Sequence, residues 1–372
     1  MLASGSQSAG PTVCCGICPG KLARGAVVLL LLVAAAGAPL REDTTVALRG
    51  GTLTDRAAPL ARMPLVNFGG IDSSPGSARM ESHAALFEGA AAAAGAWRLL
   101  GIDTALVYGE ATQKEIGRRV ANASFAREKI FLTTKVPCCA GKEFWPERTA
   151  TAGECHRVAA QAIELTVAQL NLSTIDLLLM HYPCSVAEVP GGGKPGRLLA
   201  SGRRRAFEQT LATYAAMEDA LLSEAGVGPT HTRIRALGLS NFNAEALGAL
   251  LASRPRVRPS VVQNGMIVGN HAAALTPFGQ DEPTVRRAAA EGLFFTAYSP
   301  LGAWTRSDVR PPAVLAAAEA HGVSPQLVAL RWLVQRGLGV VTASASAGHV
   351  VDDLRVFDFR LSAREMEALG AA

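Results

Sequence analysis

Residues 98–110 read RLLGIDTALVYGE, and this stretch decides how the rest of the chain is interpreted. An apolar run ends there in Asp103, and Tyr108, one of four tyrosines in the chain, follows five residues later. An acid and a tyrosine at the end of a strand can simply cap a helix and cover a core, or they can carry chemistry. The segments on either side separate the two interpretations.

Short apolar segments alternate with longer amphipathic or alanine-rich segments from about residue 60 onward. This alternation is typical of βα units around a parallel sheet. The segments predicted to be strands are 64–70, 100–105, 129–135, 175–182, 234–240, 260–264, 293–299 and 338–344. Eight such units favour an α/β fold, a single (β/α)8 TIM barrel, over a doubly wound sheet.

The segments between the strands predict helices and two long loops. The helical segments considered are 81–100, 154–170, 209–226 and 324–337. The last of them should begin with Ser324 as N-cap and Pro325 at the first helical position, and should end at Gly337. Long connections are expected after the third and fourth strands, at 136–153 and 183–206.

Composition and motif context exclude some classes of protein. With 49% hydrophobic and 18% charged residues, the 372-residue chain can build a sizeable core and is not typical of disorder. The basic clusters at 202–205 and 254–259 lack interleaved aromatic residues, so no nucleic-acid partner is expected. Gly191, Gly193 and Gly196 fit the dinucleotide fingerprint, but the flanking sequence lacks the strand and the helix that this motif requires.

The N-terminal segment predicts a targeting leader. Lys21 and Arg24 precede thirteen apolar residues at 26–38, AVVLLLLVAAAGA. As a helix this run would reach about 20 Å, short of the roughly 30 Å hydrocarbon core, so it resembles a signal-peptide core. A signal anchor, a bipartite plastid leader, a buried helix and a disordered extension are the alternatives. We expect residues 1–45 to be leader and spacer, and 46–372 to be the barrel.

Three of the seven cysteines lie in this leader, and Cys138, Cys139, Cys155 and Cys184 lie in the body. In an oxidising lumen an even number permits disulfides, and free thiols are the alternative. A zinc site that also uses His156 would need a non-standard ligand spacing, so no metal is expected. Our hypothesis is that the four cysteines pair and fix the wall of a pocket.

Four chemically active residues fall at consecutive predicted strand ends: Asp103, Tyr108, Lys135 and His181. In a (β/α)8 barrel these ends open on one rim, where catalytic residues gather. A lysine about 4 Å from a tyrosine would stabilise the phenolate by roughly 4 kcal/mol, or about three pKa units. Asp103 would hold Lys135 in its charged form, and His181 would orient a carbonyl oxygen against the Tyr108 hydroxyl.

Several motifs, in the right order, resemble those of the aldo-keto reductase superfamily. They are GIDTALVYGE (101–110), IFLTTKV (130–136), DLLLMHYP (176–183), IRALGLSNF (234–242), AYSPLG (297–302) and VFDFRLSAREMEAL (356–369). The resemblance implies that Tyr108 is the general acid, supported by Lys135, Asp103 and His181. It also implies cofactor contacts by Asp103, Ser240, Asn241, Gln263, Tyr298, Ser299, Leu301, Gly302 and Ser344, with Tyr298 stacked on the nicotinamide.

The chain departs from the family pattern where relatives bind the 2′-phosphate of the cofactor. Residues 342–354 read TASASAGHVVDDL, so Thr342 and Ala343 replace the usual Pro and Lys. His349 stands at the Arg position and Asp353 at the Asn position, and only Ser344 matches. Fewer cations and an added carboxylate should weaken a phosphate contact. The expected cofactor is therefore NADPH or NADH, with the preference open.

These observations predict an NAD(P)H-dependent oxidoreductase that reduces a small aldehyde or ketone to an alcohol. The alternative on the same scaffold is a cofactor-binding redox sensor or a low-activity pseudo-reductase. A metal-dependent hydrolase is disfavoured because the seven histidines show no close paired spacing. We expect a monomer in the secretory pathway or ER lumen, or in a plastid, with membrane contact only through an uncleaved leader.

Overall fold

A computed structural model describes residues 44–49, 62–69, 78–92, 99–139, 151–184, 200–268, 281–302 and 311–371. Eight parallel strands in it form a closed barrel, in which each strand pairs with the next along the chain and the last pairs with the first. They are β3 (Val66–Gly69), β4 (Leu100–Asp103), β5 (Ile130–Val136), β7 (Leu177–Met180), β9 (Leu237–Ser240), β10 (Val261–Gly265), β11 (Phe294–Tyr298) and β12 (Gly339–Thr342). All eight predicted strands are thus confirmed; six have shorter bounds, and β5 and β10 keep the predicted length but are shifted by one residue.

The helices lie between the barrel strands. They are α1 (Ala78–Ala92), α2 (Glu110–Ala121), α3 (Ala152–Leu170), α4 (Ala200–Leu222), α5 (Ala244–Ala252), α6 (Asp281–Ala290), α7 (Pro312–His321), α8 (Pro325–Gln335), α9 (Ala347–Leu354) and α10 (Ala363–Gly370). Of the described helices, none alone has the length and hydropathy needed to cross a membrane. The pair α7 and α8 meets that test only together, across a bend of 97°.

Two helix predictions need correction. The segment 81–100 forms a helix only as α1, and Leu100 already begins β4. The segment 209–226 is helical only to Leu222, as part of α4, and α4 begins at Ala200, so the expected loop at 183–206 is shorter than predicted. Arginines are good helix formers, and an Arg204–Glu208 pair one turn apart supports this extension. The rejected glycine motif at 191–196 lies outside the described residues.

The cap of α8 confirms its prediction. The Ser324 side chain accepts a hydrogen bond from the backbone N–H of Leu327, and Pro325 occupies the first helical position. After the last turn, Gly337 adopts a φ of 79°, which glycine reaches without the cost of a Cβ atom. This helix therefore ends where its sequence signals place it.

Two predicted strands are interrupted near the amino end of the barrel. The segments 175–182 and 234–240 each begin with a two-residue strand, β6 (Thr174–Ile175) and β8 (Arg233–Ile234), which pair with each other. Asp176 then accepts hydrogen bonds from Leu132 N and from the guanidinium groups of Arg127 and Arg235. These bonds satisfy the buried carboxylate of Asp176 at the break between the short strand and β7.

Strand alternation separates an apolar end of the barrel interior from a polar mouth. On β5, Phe131, Thr133 and Lys135 point to the same face because side chains alternate along a strand. At the amino end, Phe131 packs with Leu48, just after β1 (Thr45–Ala47), and with Met63 in β2 (Arg62–Pro64), which pairs antiparallel with β1. The carboxyl end presents polar inward positions: Asp103, Lys135, His181, Ser240, Gln263 and Tyr298.

The leader prediction falls almost entirely outside the described residues. Within the predicted segment 1–45 only Thr44 and Thr45 are described, and Thr45 is the first residue of β1. Leu48, just beyond this strand, is fully buried. The chain therefore already belongs to the barrel core within a few residues of the expected boundary.

Candidate active site

A buried ion pair lies at the centre of the mouth. Lys135, at 2% exposure, donates a hydrogen bond to Asp103 Oδ1 and another to the carbonyl oxygen of Thr104 at 3.0 Å. Burial by itself would lower the pKa of Lys135, but Asp103 and Tyr108 outweigh it and raise that pKa above its ordinary value. The ammonium is therefore charged at neutral pH. The backbone role of Thr104 has no signature in the sequence.

The sequence positions this pair by leaving space beside β4. Gly101 points to the same face as Asp103, and a Cβ atom at Gly101 would lie 2.1 Å from Oδ1 of Asn67. The amide of Asn67 donates to the carbonyl oxygen of Pro64 at 2.8 Å. A glycine is thus required two residues before the catalytic candidate Asp103, because the neighbouring strand fills that part of the interior.

Tyr108 lies above the ion pair on a short 3-10 turn, Leu106–Tyr108, that directly follows β4. Lys135 Nζ is 5.4 Å from the centre of the Tyr108 ring. Desolvation raises the pKa of Tyr108 above its ordinary value, and Lys135 offsets only part of that effect. The predicted lowering of this pKa is therefore wrong, and the phenol stays protonated at neutral pH.

His181 faces Tyr108 from the end of β7. The two rings meet edge to face with centres 5.9 Å apart, and Tyr182 stacks on His181 at 5.5 Å. Burial, with a smaller contribution from the positive charge of Lys135, lowers the pKa of His181 to about 3. The imidazole is therefore neutral, and its Nδ1 atom has no hydrogen-bond partner among the described residues.

Four residues expected at the nicotinamide are connected to this cluster. Gln263 Nε2 donates to Asp103 Oδ2 at 2.9 Å, so the carboxylate is held from both sides. Asn241 Nδ2 donates to the carbonyl oxygen of His181 at 2.8 Å and to Ser240 Oγ at 3.2 Å. Tyr298 donates its hydroxyl proton to Asn241 Oδ1 at 2.8 Å. Hydroxyl and amide groups at one rim suit a carboxamide ligand.

The remaining expected cofactor residues lie after β11 and β12. Ser299 has a φ of 50°, and its carbonyl oxygen accepts a hydrogen bond from Gly302 N at 3.0 Å across a turn that contains Leu301. Ser344 lies just before α9, where its Oγ accepts a hydrogen bond from Ser346 N at 3.1 Å. The structure thus places all of these residues at carboxyl ends of barrel strands, as the sequence predicted.

Asp353 sits where the resemblance expects an uncharged residue. It is half-buried on α9, and Thr342 Oγ1 donates a hydrogen bond to its Oδ2 at 3.2 Å. Burial raises the pKa of Asp353 to about 6, although the Thr342 hydrogen bond and nearby His349 act in the opposite direction. At neutral pH the group is therefore largely anionic but close to its titration range.

The four body cysteines form two disulfides, Cys138–Cys184 and Cys139–Cys155, with Cα separations of 5.2 and 5.0 Å. The sequence left this pairing open, because four cysteines allow three connectivities. His156, considered as a zinc ligand, bonds Asp219 at 2.7 Å instead. Cysteine binds metals as a thiolate, a form that disulfide sulfurs do not have.

Taken together, the fold and the site define a parallel (β/α)8 barrel enzyme whose mouth combines a protonated phenol, a charged ammonium and a neutral imidazole. Comparison with known proteins identifies the family to which this barrel belongs. The model for the aldo/keto reductase family matches residues 70–372. The curated relatives include aldo-keto reductase family 1 member A1 of Mus musculus, 33% identical over 83% of this chain and 86% of that protein.

Aldo-keto reductase family 1 member A1 of Homo sapiens is 31% identical over 83% of this chain and 86% of that protein. Among solved structures, the aldose reductase from Schistosoma japonicum matches 86% of this chain and 91% of its own, with a TM-score of 0.60 and 27% identity. An aldo-keto reductase from a deep-sea metagenome matches in fold, with a TM-score of 0.62. The chain belongs to the aldo/keto reductase family and is at that level an oxidoreductase.

Proposed function

We propose that this chain reduces a small aldehyde or ketone to an alcohol with NADPH or NADH, using Tyr108 as general acid. One observation carries the proposal. A charged, buried Lys135 is held by Asp103 and lies 5.4 Å from the ring centre of a protonated Tyr108, while a neutral His181 faces the same phenol. This combination supplies a proton donor, a stabiliser for its conjugate base and a neutral hydrogen-bonding group at one mouth.

The residues divide the acid–base work among them. When bound, a reduced nicotinamide supplies the hydride for the carbonyl carbon. Tyr108 gives its hydroxyl proton to the carbonyl oxygen, and the ammonium of Lys135 stabilises the phenolate that remains. Asp103 keeps Lys135 charged and aimed, and the neutral His181 orients the oxygen by a hydrogen bond. Solvent then returns a proton to Tyr108.

The residues present fit one end of a nicotinamide dinucleotide better than the other. Ser240, Asn241 and Gln263 offer hydroxyl and amide groups for the carboxamide. Near β12 and α9, where relatives hold the 2′-phosphate, Ala343 and His349 stand at the positions of the usual Lys and Arg, and Asp353 adds a carboxylate. We propose that this site accepts the unphosphorylated ribose of NADH more readily than the phosphate of NADPH.

The leader is part of the proposal. We propose that residues 1–45 direct the barrel to the secretory pathway or, as the first part of a bipartite leader, to a plastid, and anchor it to the membrane if they are not cleaved. The two disulfides support an oxidising compartment. We further propose that the barrel acts as a monomer, which sedimentation of the purified protein will test.

The test measures oxidation of NADH and of NADPH with a panel of aldehydes and ketones. Tyr108→Phe should lower kcat by about a hundredfold or more, because the proton donor is removed. Tyr214→Phe is the matched control, because that phenol donates to the carbonyl oxygen of Val257 in the core. It should lower thermal stability while keeping kcat. Activity that survives in Tyr108→Phe would reject the general acid.

The altered adenosine end also favours a second candidate function, a cofactor-binding sensor with slow turnover. Such a protein would bind the nicotinamide tightly, as measured by quenching of protein fluorescence, yet reduce none of the carbonyl compounds. Turnover of any compound that depends on Tyr108 would favour the reductase.

A further inference from the structure

The two strand ends that carry Lys135 and His181 are joined by a covalent bond. The chain reads KVPC at 135–138 and HYPC at 181–184, so a proline and then a cysteine follow each catalytic candidate at the same spacing. Strands β5 and β7 pair in parallel up to Val136 and Met180, and His181 N then donates to Val136 O at 2.8 Å. The disulfide Cys138–Cys184 closes this pairing immediately beyond the active site.

Helix α4 fixes the disulfide from the other side. Cys184 N donates to Thr210 Oγ1 at 3.0 Å, and Cys139 N donates to Thr213 Oγ1 at 3.4 Å. All four cysteines are buried in a small apolar cluster that also contains Val158 and Ala206. The two disulfides therefore form the centre of the wall between the mouth and α4.

Tyr182 connects this wall to His181. It packs against the cysteine cluster on one side and stacks on the His181 ring on the other. Nδ1 of His181 has no hydrogen-bond partner among the described residues, so no hydrogen bond from them at that atom fixes the orientation of the imidazole. Its orientation depends instead on contacts with Tyr108 and Tyr182. Displacing Tyr182 would thus move the imidazole.

We propose that the Cys138–Cys184 disulfide is a positioning element of the active site, which holds Tyr182 and through it His181 in register with Lys135. The proposal rests on the proposed function, in which His181 orients the carbonyl oxygen. It follows that the enzyme is fully active only with this bond formed. The second disulfide, Cys139–Cys155, ties the same loop to α3 and is a structural staple.

Reduction of this bond consumes a thiol reductant. A dithiol thiolate attacks one sulfur, the Cys138–Cys184 bond breaks, and a mixed disulfide forms. The second thiol of the reagent then closes its own disulfide, so that the protein gains two electrons and two protons and keeps two thiols. Because the sulfurs of Cys138, Cys139 and Cys184 lie within 4.8 Å of one another, a single free thiol could attack the remaining bond. Cysteines are therefore replaced in pairs.

The experiment compares Cys138→Ala/Cys184→Ala with the matched control Cys139→Ala/Cys155→Ala in the full chain. The first variant should lose at least about tenfold in kcat, with a smaller change in KM, because His181 is misplaced. The control should stay within about threefold of wild type, even though it too loses a disulfide and stability. Equal losses of kcat in both variants would overturn the proposal, since a general loss of stability would then account for them.

A second readout does not depend on turnover. Protein labelled with 15N-histidine reports the His181 ring nitrogens by NMR, assigned with a His181→Gln variant. The His181 signals should move in Cys138→Ala/Cys184→Ala and in wild type reduced by a dithiol, with reduction confirmed by alkylation and mass spectrometry. Reduced wild type covers the case in which the variant does not fold. Unchanged His181 signals would overturn the proposal. This measurement can be made even if oxidised wild type reduces no carbonyl compound, so failure of this proposal can be told apart from failure of the proposed function.

Discussion

Two carboxylates at the same barrel mouth, the buried Asp103 and the half-buried Asp353, show opposite ways of accommodating an acid. Asp103 accepts hydrogen bonds from the ammonium of Lys135 and the amide of Gln263. Asp353 has a hydrogen bond from the Thr342 hydroxyl, and burial raises its pKa to about 6. The comparison indicates that the side of the mouth at Asp103 is built to keep a charge, whereas the side at Asp353 is not.

Replacing Lys135 should have the largest effect. Lys135→Met leaves Asp103 buried without its cation, so we expect the free energy of unfolding to fall by about 3 to 5 kcal/mol. Activity should fall by about a thousandfold, because the Tyr108 phenolate loses its stabiliser. Urea unfolding and steady-state kinetics measure the two effects. Adding Asp103→Asn should recover much of the stability and none of the activity; recovery of both would contradict the assigned roles.

Replacing Asp353 should have the opposite effect on stability. Its folded pKa is raised, so its neutral form stabilises the fold below the ordinary pKa of 3.8, and this contribution is lost as the pH rises through about 6. Asp353→Asn should therefore stabilise the protein by up to about 3 kcal/mol at pH 8 and by almost nothing at pH 3. Asp352→Asn, at the exposed neighbouring position, is the control. Equal stabilities at pH 8 would show that Asp353 is well solvated.

Cofactor discrimination should follow the same titration. As the pH falls below about 6, Asp353 becomes neutral and repels a phosphate less. The Kd for NADPH relative to that for NADH should then fall by several-fold, and Asp353→Asn should remove this pH dependence. Fluorescence titrations of both cofactors at several pH values provide the measurement. The phosphate of NADPH also titrates, but its effect is the same for wild type and variant and cancels in the comparison. A ratio that changes identically in wild type and variant would contradict the role of Asp353.

The smallest expected change is in the rate of reduction with pH. The pKa of His181 is lowered to about 3 and that of Tyr108 is raised, so neither group changes charge between about pH 5 and pH 8. Under saturating substrate, kcat should be flat over this range and decline only in alkaline solution. The contribution of the neutral His181 to the free energy of unfolding should be fully present above pH 6.5 and should be lost as the pH falls toward 3. An inflection of kcat near 6.5 that His181→Gln abolishes would contradict the neutral imidazole.

The sequence predicted the barrel and the composition of its mouth because both follow from short-range rules. Alternation along β5 is enough to place Lys135 inside, and the order of the strands places Asp103 and His181 beside it. Helix ends were less accurate: α4 begins well before its predicted start because its first turns carry little amphipathic pattern.

Other features depend on distances that a sequence does not contain. The pKa of Tyr108 was predicted to fall, because the charge of Lys135 is visible in the sequence whereas desolvation is not. The pairing of four cysteines, and the carbonyl of Thr104 that accepts from Lys135, likewise depend on how the loops close over the barrel. These features are set by tertiary packing, and local patterns do not encode them.

The amino-terminal hairpin limits how the chain can be matured. Leu48 and Met63 cover the apolar end of the barrel interior and are both fully excluded from solvent. A processing protease that cut beyond Leu48 would remove part of this cover, expose Phe131 and Leu179 to water, and forfeit about 2 kcal/mol for the leucine alone. Trimming before Thr44 would leave the cover intact, so the hairpin marks the latest point at which a leader can be separated from a working barrel.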